Sequence, residues 1–267
     1  MGFPGTWMTL SESTIYRVVP KCACSTIGQI LYYSDHGRFF DGDIHDAQDG
    51  LHKWGFDQSQ PHIRRNVGAR TFAFTCVRNP YDRVLSSFFD KICAIQRNGR
   101  RYRENTLPKM MRRYGVDLGK PDFDQIAAFR RFLVFTRDTV RFRRPMDPDI
   151  HWSPMASHIG TFVANGGRFD AILRTEDFGP GMDAVLSQIN TPVTVDLAAV
   201  PRFNDSGDQG AKRAHPVADY FDDLSMYLVQ DMYKKDFALF GYDRDAPGTK
   251  TPRSEIDLDA VHAKLAA

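Results

Sequence analysis

The sequence lacks any hydrophobic run long enough to cross a bilayer, because no stretch approaches the roughly 18 consecutive apolar residues that such a span needs. Residues 1–13 show neither the basic flank nor the apolar stretch of a secretory signal, so a cytoplasmic protein is expected. Cysteine is scarce: Cys22, Cys24, Cys76 and Cys93 form one C-x-C but no C-x-x-C, and no two-pair spacing that closes a zinc site. A disulfide or zinc scaffold is therefore not expected, and no metal is. Reduced thiols fit the cytosol. The chain has no G-x-x-x-x-G-K-[ST] loop, no internal repeat and no low-complexity tract. Its net charge of +2 is too small to define a polyanion binder. What it does have is bulk: 42% hydrophobic residues, with 20 Phe and 10 Tyr in 267 positions, enough for one substantial core.

The charge is unevenly placed. Residues 97–144 carry 14 Lys and Arg against 5 Asp and Glu, net +9, which leaves 21 against 28, net −7, elsewhere. Such a segment is either a solvated helical face or a surface that receives an anionic partner.

Apolar periodicity alternates between strand and helix. Thr14 to Val19 is a β-branched run broken by Pro20, and Ile27, Ile30 and Leu31 then recur at helical spacing. Residues 34–66 show no sustained period. Ala69 to Val77 is a second strand, and Tyr81, Val84, Leu85, Phe88, Phe89, Ile92 and Ile95 follow as a helix with Asn79 as N-cap and Pro80 at its first position. Further helices are predicted over 123–135 and 182–189, a strand over 169–173, and one long helix over 217–240. The pattern predicts an α/β fold with a central, mainly parallel β-sheet flanked by helices. Residues 1–244 are expected to form a single domain and 245–267 a peripheral C-terminal tail.

Two places carry chemistry. Pro20-Lys21-Cys22-Ala23-Cys24-Ser25-Thr26 lies between a strand and a helix, where free backbone N–H groups and the helix dipole attract an anion. Lys21 adds a full charge there, and Ser25 and Thr26 add hydroxyls; as a bare pattern, a turn with a chance lysine would read the same. Arg78, at the end of the second strand, offers a planar fork to a phosphate, and Ser86 can reach the same group from the following helix. Arg78 could equally serve as a cap with a salt bridge to Asp82.

PKCACST, followed some fifty residues later by FTCVRNPYDRVLSSFFDKI, resembles the paired signatures of the sulfotransferases that use 3′-phosphoadenosine 5′-phosphosulfate, in the family 2 branch that contains the Golgi carbohydrate sulfotransferases. The likeness continues through His151-Trp152-Ser153-Pro154, RFDAILRTEDF (168–178), PRFNDS (201–206) and YKKDFALFGY (233–242). It implies a P-loop-like sulfotransferase fold; the family's N-terminal membrane anchor is missing, so a soluble enzyme is expected. It also implies that Lys21, Cys22, Ala23, Cys24, Ser25 and Thr26 hold the 5′-phosphosulfate, that Arg78 and Ser86 hold the 3′-phosphate, and that Asn204 and Ser206 close over the nucleotide. Lys21 meets the charge that grows on the leaving phosphate. His62 is similar in position to a base proposed in the uronyl 2-O branch, with His52, His45 and Asp57 as alternatives. His151 and Trp152 either line the acceptor cleft or pack structurally. The chain departs from the family at Cys22, at Cys24, and at Met155, where Gln is usual.

The basic segment suggests an acidic glycan as acceptor, or one presented at a membrane surface such as a lipid head group; nucleic acid is not expected. A non-catalytic polyanion-binding module would use the same segment, yet would not need Lys21 and Arg78 at strand ends. A nucleotide kinase would need the absent Walker lysine.

Overall fold

A computed structural model describes residues 4–46, 50–55, 71–93, 106–116, 124–201, 203, 213–248 and 254–266. In chain order its strands and helices are β1 (Pro4–Met8), β2 (Thr14–Arg17), α1 (Cys24–His36), β3 (His52–Gly55), β4 (Phe72–Val77), α2 (Pro80–Phe88), α3 (Thr106–Arg113), α4 (Gln125–Phe142), α5 (Met155–Ala164), β5 (Ala171–Arg174), α6 (Phe178–Leu186), α7 (Asp223–Met232), α8 (Lys234–Phe240) and α9 (Leu258–Ala266). Their contacts partition the chain into two compact units. One comprises Met1–Arg78, Met155–Phe203 and Glu255–Ala267; the other comprises Asn79–Pro154 and Asn204–Ser254.

The first unit holds a five-stranded sheet in the order β3-β1-β2-β4-β5. β2, β4 and β5 pair in parallel, while β1 runs antiparallel to both β2 and β3. Four strands therefore point one way and β1 alone the other, and the expected α/β fold is present. The strands β1 and β3 were not predicted. Pro4 and Gly5 read as turn residues, and residues 34–66 show no period that would mark a strand there.

β2 and β4 are buried runs whose registered pair Tyr16 and Phe74 stacks with ring centroids 5.1 Å apart. The Thr75 hydroxyl donates to the Arg17 carbonyl at 2.8 Å, and Arg17 is level with Thr75. β2 and β4 are parallel neighbours, so the chain leaves both at the same end of the sheet, toward Lys21 and Arg78. Arg17 is fully buried, donating from Nε to the His158 carbonyl (2.9 Å) and from a terminal nitrogen to Thr6 Oγ1 (3.0 Å). Burial alone lowers its guanidinium to about 9. Gly28 lets α1 seat against β1, since a Cβ there would lie 2.3 Å from the Trp7 ring.

The C-terminal helix α9 packs on α5 within this unit. His262 Nε2 accepts from the Phe169 N–H at 2.9 Å, its ring stacks on Phe169, and it is 7% exposed. An accepting nitrogen must be neutral, and burial, aided by Arg168, holds the imidazole below its ordinary 6.5, against the opposing pull of Asp259 and Asp170. The released helix therefore binds the proton more tightly than the docked one. Docking is complete above pH 6.5 and weakens as pH falls toward the lowered folded value. Amide exchange in α9, corrected for intrinsic rates, is expected to speed up between pH 7.5 and 5.5, an acceleration absent in His262→Gln.

The second unit is helical. Asn79 caps α2 by accepting from the Tyr81 N–H at 3.0 Å, with Pro80 at the first position, as the sequence predicts. The helix then continues as a π-helical turn, Phe89–Cys93. Asp124 caps α4, which runs on past the expected end at 135 to Phe142. The predicted long helix over 217–240 is broken instead. Val217–Tyr220 is a 3₁₀ turn, Asp222 starts α7 afresh by accepting from the Ser225 N–H, and the chain kinks at Tyr233. Tyr233 is buried there and donates to the Trp152 carbonyl at 2.8 Å, an attachment that sequence periodicity does not register.

Candidate active site

The loop between β2 and α1 is wound in an uncommon way. Lys21 (φ 67°) and Ala23 (φ 58°) both occupy the left-handed region, with Cys22 between them outside it. Neither is glycine, so each conformation costs about 1–3 kcal/mol, a strain typical of functional loops. Alternating handedness of this kind is the geometry of anion-binding backbone concavities, although the Cys22 N–H here donates to the Val19 carbonyl at 3.3 Å. α1 follows at once, with no side chain capping it and no acidic residue in its first turn. Its N-terminal dipole thus adds to the same positive field.

Lys21, Ala23, Cys24, Ser25 and Thr26 are half-buried, whereas Cys22 is fully buried. The Cys22 thiol donates to Met155 Sδ at 3.7 Å, and the Arg78 backbone N–H meets the same sulfur at 3.5 Å. Met155 therefore ties the loop to the end of β4. The Arg78 guanidinium donates to the Lys21 carbonyl at 3.4 Å, and among the described residues no carboxylate pairs with it. The two anion-seeking groups found separately in the sequence are in contact.

Burial raises the Cys24 thiol even though Lys21 pulls it down, and it raises the Cys76 thiol further. None of the four cysteines is in a disulfide. Protonated, largely buried thiols of this kind are poor nucleophiles, so their place here is packing. Of the histidines weighed in the sequence, His45 meets the loop: its Nε2 lies 3.0 Å from Ser25 Oγ and 3.7 Å from Cys24 Sγ. His52 is exposed on β3. His62, Asp57, Asn204 and Ser206 lie outside the described residues.

In the second unit, Ser86 is the one residue of α2 that is not buried. His151 donates its backbone N–H to Asp149 Oδ1 (3.0 Å), and its Nδ1 lies 2.6 Å from the same oxygen. The side chains of these two are 13% and 4% exposed. Trp152 corrects an expectation: it is 0% exposed, donates from Nε1 to Thr139 Oγ1 at 3.1 Å, and meets Phe132 and Phe135 edge-on. It is a core anchor with its one polar atom satisfied internally, not a platform for a sugar.

Sequence reasoning also missed Arg83 and Ser87. Arg83 donates to the Ser153 carbonyl at 2.7 Å, and Ser87 donates to the His151 carbonyl at 2.7 Å. Their spacing of four on α2 was the available signal, since it puts both on one helical face. The basic segment is neutralised in part where it is described. Arg130 pairs with Asp222, Arg137 and Arg141 with Asp231, and Arg143 with Asp147.

The sequence profile described as the sulfotransferase family matches residues 4–243, which include the anion loop, Arg78 and the His151 turn. The chain belongs to the sulfotransferase family. It is a transferase, and the family's chemistry is sulfuryl transfer. No match is found among curated proteins or among solved structures. Among the described residues, no helix is long and apolar enough to cross a membrane.

Proposed function

We propose that the protein transfers a sulfuryl group from 3′-phosphoadenosine 5′-phosphosulfate to a hydroxyl of an acceptor, most simply an acidic carbohydrate. The observation that carries this reading is the strained loop Lys21–Ala23 with the Arg78 guanidinium drawn to it. A nucleotide with phosphate at two positions needs a backbone cradle for one and a fixed cationic fork for the other. The loop after β2 suits the first role and Arg78, at the end of β4, the second, where no carboxylate among the described residues pairs with it.

The reaction forms a bond from the acceptor oxygen to sulfur and breaks the bond from sulfur to the 5′-phosphate oxygen. The nucleotide leaves as adenosine 3′,5′-bisphosphate, and the hydroxyl proton passes to a base, for which His62 is the candidate. Negative charge grows on the leaving phosphate, and Lys21 with the loop N–H groups is suited to oppose it. On this reading Ser86, Asn204 and Ser206 add nucleotide contacts, and His151 borders the acceptor. The exposed Lys109, Arg112 and Arg113 of α3 favour an anionic acceptor over a neutral one, with a lipid head group as the second choice. A cytoplasmic location completes the proposal.

Calorimetric titration with adenosine 3′,5′-bisphosphate, 5′-AMP and ATP tests it. The wild type is expected to prefer the bisphosphate to 5′-AMP by about 10–100-fold, the effect of one hydrogen bond to a charged group, and Arg78→Ala to lose that preference. No binding, or a preference for ATP, would sink the reading. Salt-sensitive polyanion binding that survived Arg78→Ala would favour a non-catalytic module instead.

A further inference from the structure

His45 lies on a turn (43–46) whose position is fixed from three sides. Its backbone N–H donates to Asp43 Oδ1 at 3.0 Å. Its ring meets Trp7 of β1 edge-on, with centroids 5.2 Å apart, and Trp7 is fully buried against Gly28 of α1. Lys53 of β3 lies over the Trp7 ring at 5.2 Å and donates to the carbonyl of Ile44, the residue next to His45. A surface histidine needs no such bracing. The bracing delivers Nε2 to a point 3.0 Å from Ser25 Oγ, in the first turn of α1.

A serine hydroxyl has a single proton and two lone pairs. If Ser25 donates to Nε2, its proton points at the imidazole and is lost to the loop. If Nε2–H donates to Ser25, the proton of Ser25 can turn from its neighbour Cys24, whose side chain it also meets, to an anion at the Lys21–Ala23 loop. Only the second arrangement lets Ser25 serve as a donor to phosphate. We propose that His45 is a positioning residue of the anion loop, which donates from Nε2 to Ser25 Oγ and so turns the Ser25 hydroxyl proton toward a bound nucleotide phosphate. This rests on the nucleotide reading above. It also takes Nε2 of His45 out of the candidate bases, and the nitrogen that keeps its lone pair, Nδ1, is buried.

The test is a double-mutant cycle read by calorimetric binding of adenosine 3′,5′-bisphosphate to the full chain. Ser25→Ala and His45→Ala are each expected to weaken binding about tenfold, and the double variant to be no weaker than Ser25→Ala alone to within about twofold, as befits two residues acting as one unit. His45→Gln, whose amide can donate in the same place, is expected to recover most of the loss, while an unchanged melting temperature separates positioning from a fold defect. In ¹⁵N-labelled histidine spectra of the complex, His45 is expected to carry its proton on Nε2. Multiplying losses of about a hundredfold in the double variant, or wild-type affinity in His45→Ala, would overturn the proposal while leaving the nucleotide site intact. Absence of binding by the wild type would overturn both.

Discussion

Lys21→Ala is expected to slow sulfuryl transfer by about 10²–10³, the usual loss when one preorganised donor to a developing anion is removed. Binding of adenosine 3′,5′-bisphosphate is expected to weaken by about tenfold or less, because most of the cradle is backbone and the lost charge acts chiefly as the bond from sulfur to oxygen breaks. The substitution keeps the loop conformation accessible: at φ 67° alanine pays the same kind of penalty that lysine already does. Initial rates of bisphosphate release, with a uronic-acid polysaccharide as acceptor, separate the two effects. A rate constant unchanged within about twofold would remove Lys21 from the chemistry and leave it only an electrostatic role in binding.

Trp152→Ala is expected to destabilise the protein by about 3–5 kcal/mol, the range for deleting a large buried aromatic side chain. The indole is fully buried, edge-on to Phe132 and Phe135. Its backbone carbonyl receives the Tyr233 hydroxyl, whose acidity burial suppresses. Trp152→Phe keeps most of the apolar contact, leaves Thr139 without the indole donor, and is expected to cost less than half as much. Urea unfolding of the three proteins measures this. If Trp152→Ala kept its stability and instead raised the acceptor KM, the residue would return to the acceptor surface where the sequence had allowed it.

These two residues show where sequence reasoning reaches and where it stops. Lys21 was legible because its setting is local: a strand closed by Pro20, a short turn and a helix, all within thirteen residues. The same holds for Asn79 and Pro80, whose capping chemistry is written in adjacent positions. Trp152 was not legible, since a tryptophan beside a histidine reads equally as core or as a sugar platform. Only the rings brought from α4, seventeen or more residues away in the chain, decide between the two. The arginines of α4 behaved likewise. Their composition suggested a basic surface, but α7 supplies Asp222 and Asp231 opposite three of them.

By itself, then, the sequence determined the alternation of strand and helix, the place of the Lys21 loop between a strand and a helix and of Arg78 at a strand end, and membership of the sulfotransferase family, because each rests on short-range pattern or on motifs in order. Tertiary structure alone decided that β1 enters the sheet reversed, that the Arg78 guanidinium touches the Lys21 carbonyl, and that His45 meets Ser25 while His52 is exposed on β3. The last two are distances between segments separated by some twenty to sixty residues. They are fixed by strand register and by how buried rings such as Trp7 stack, quantities that no local periodicity contains.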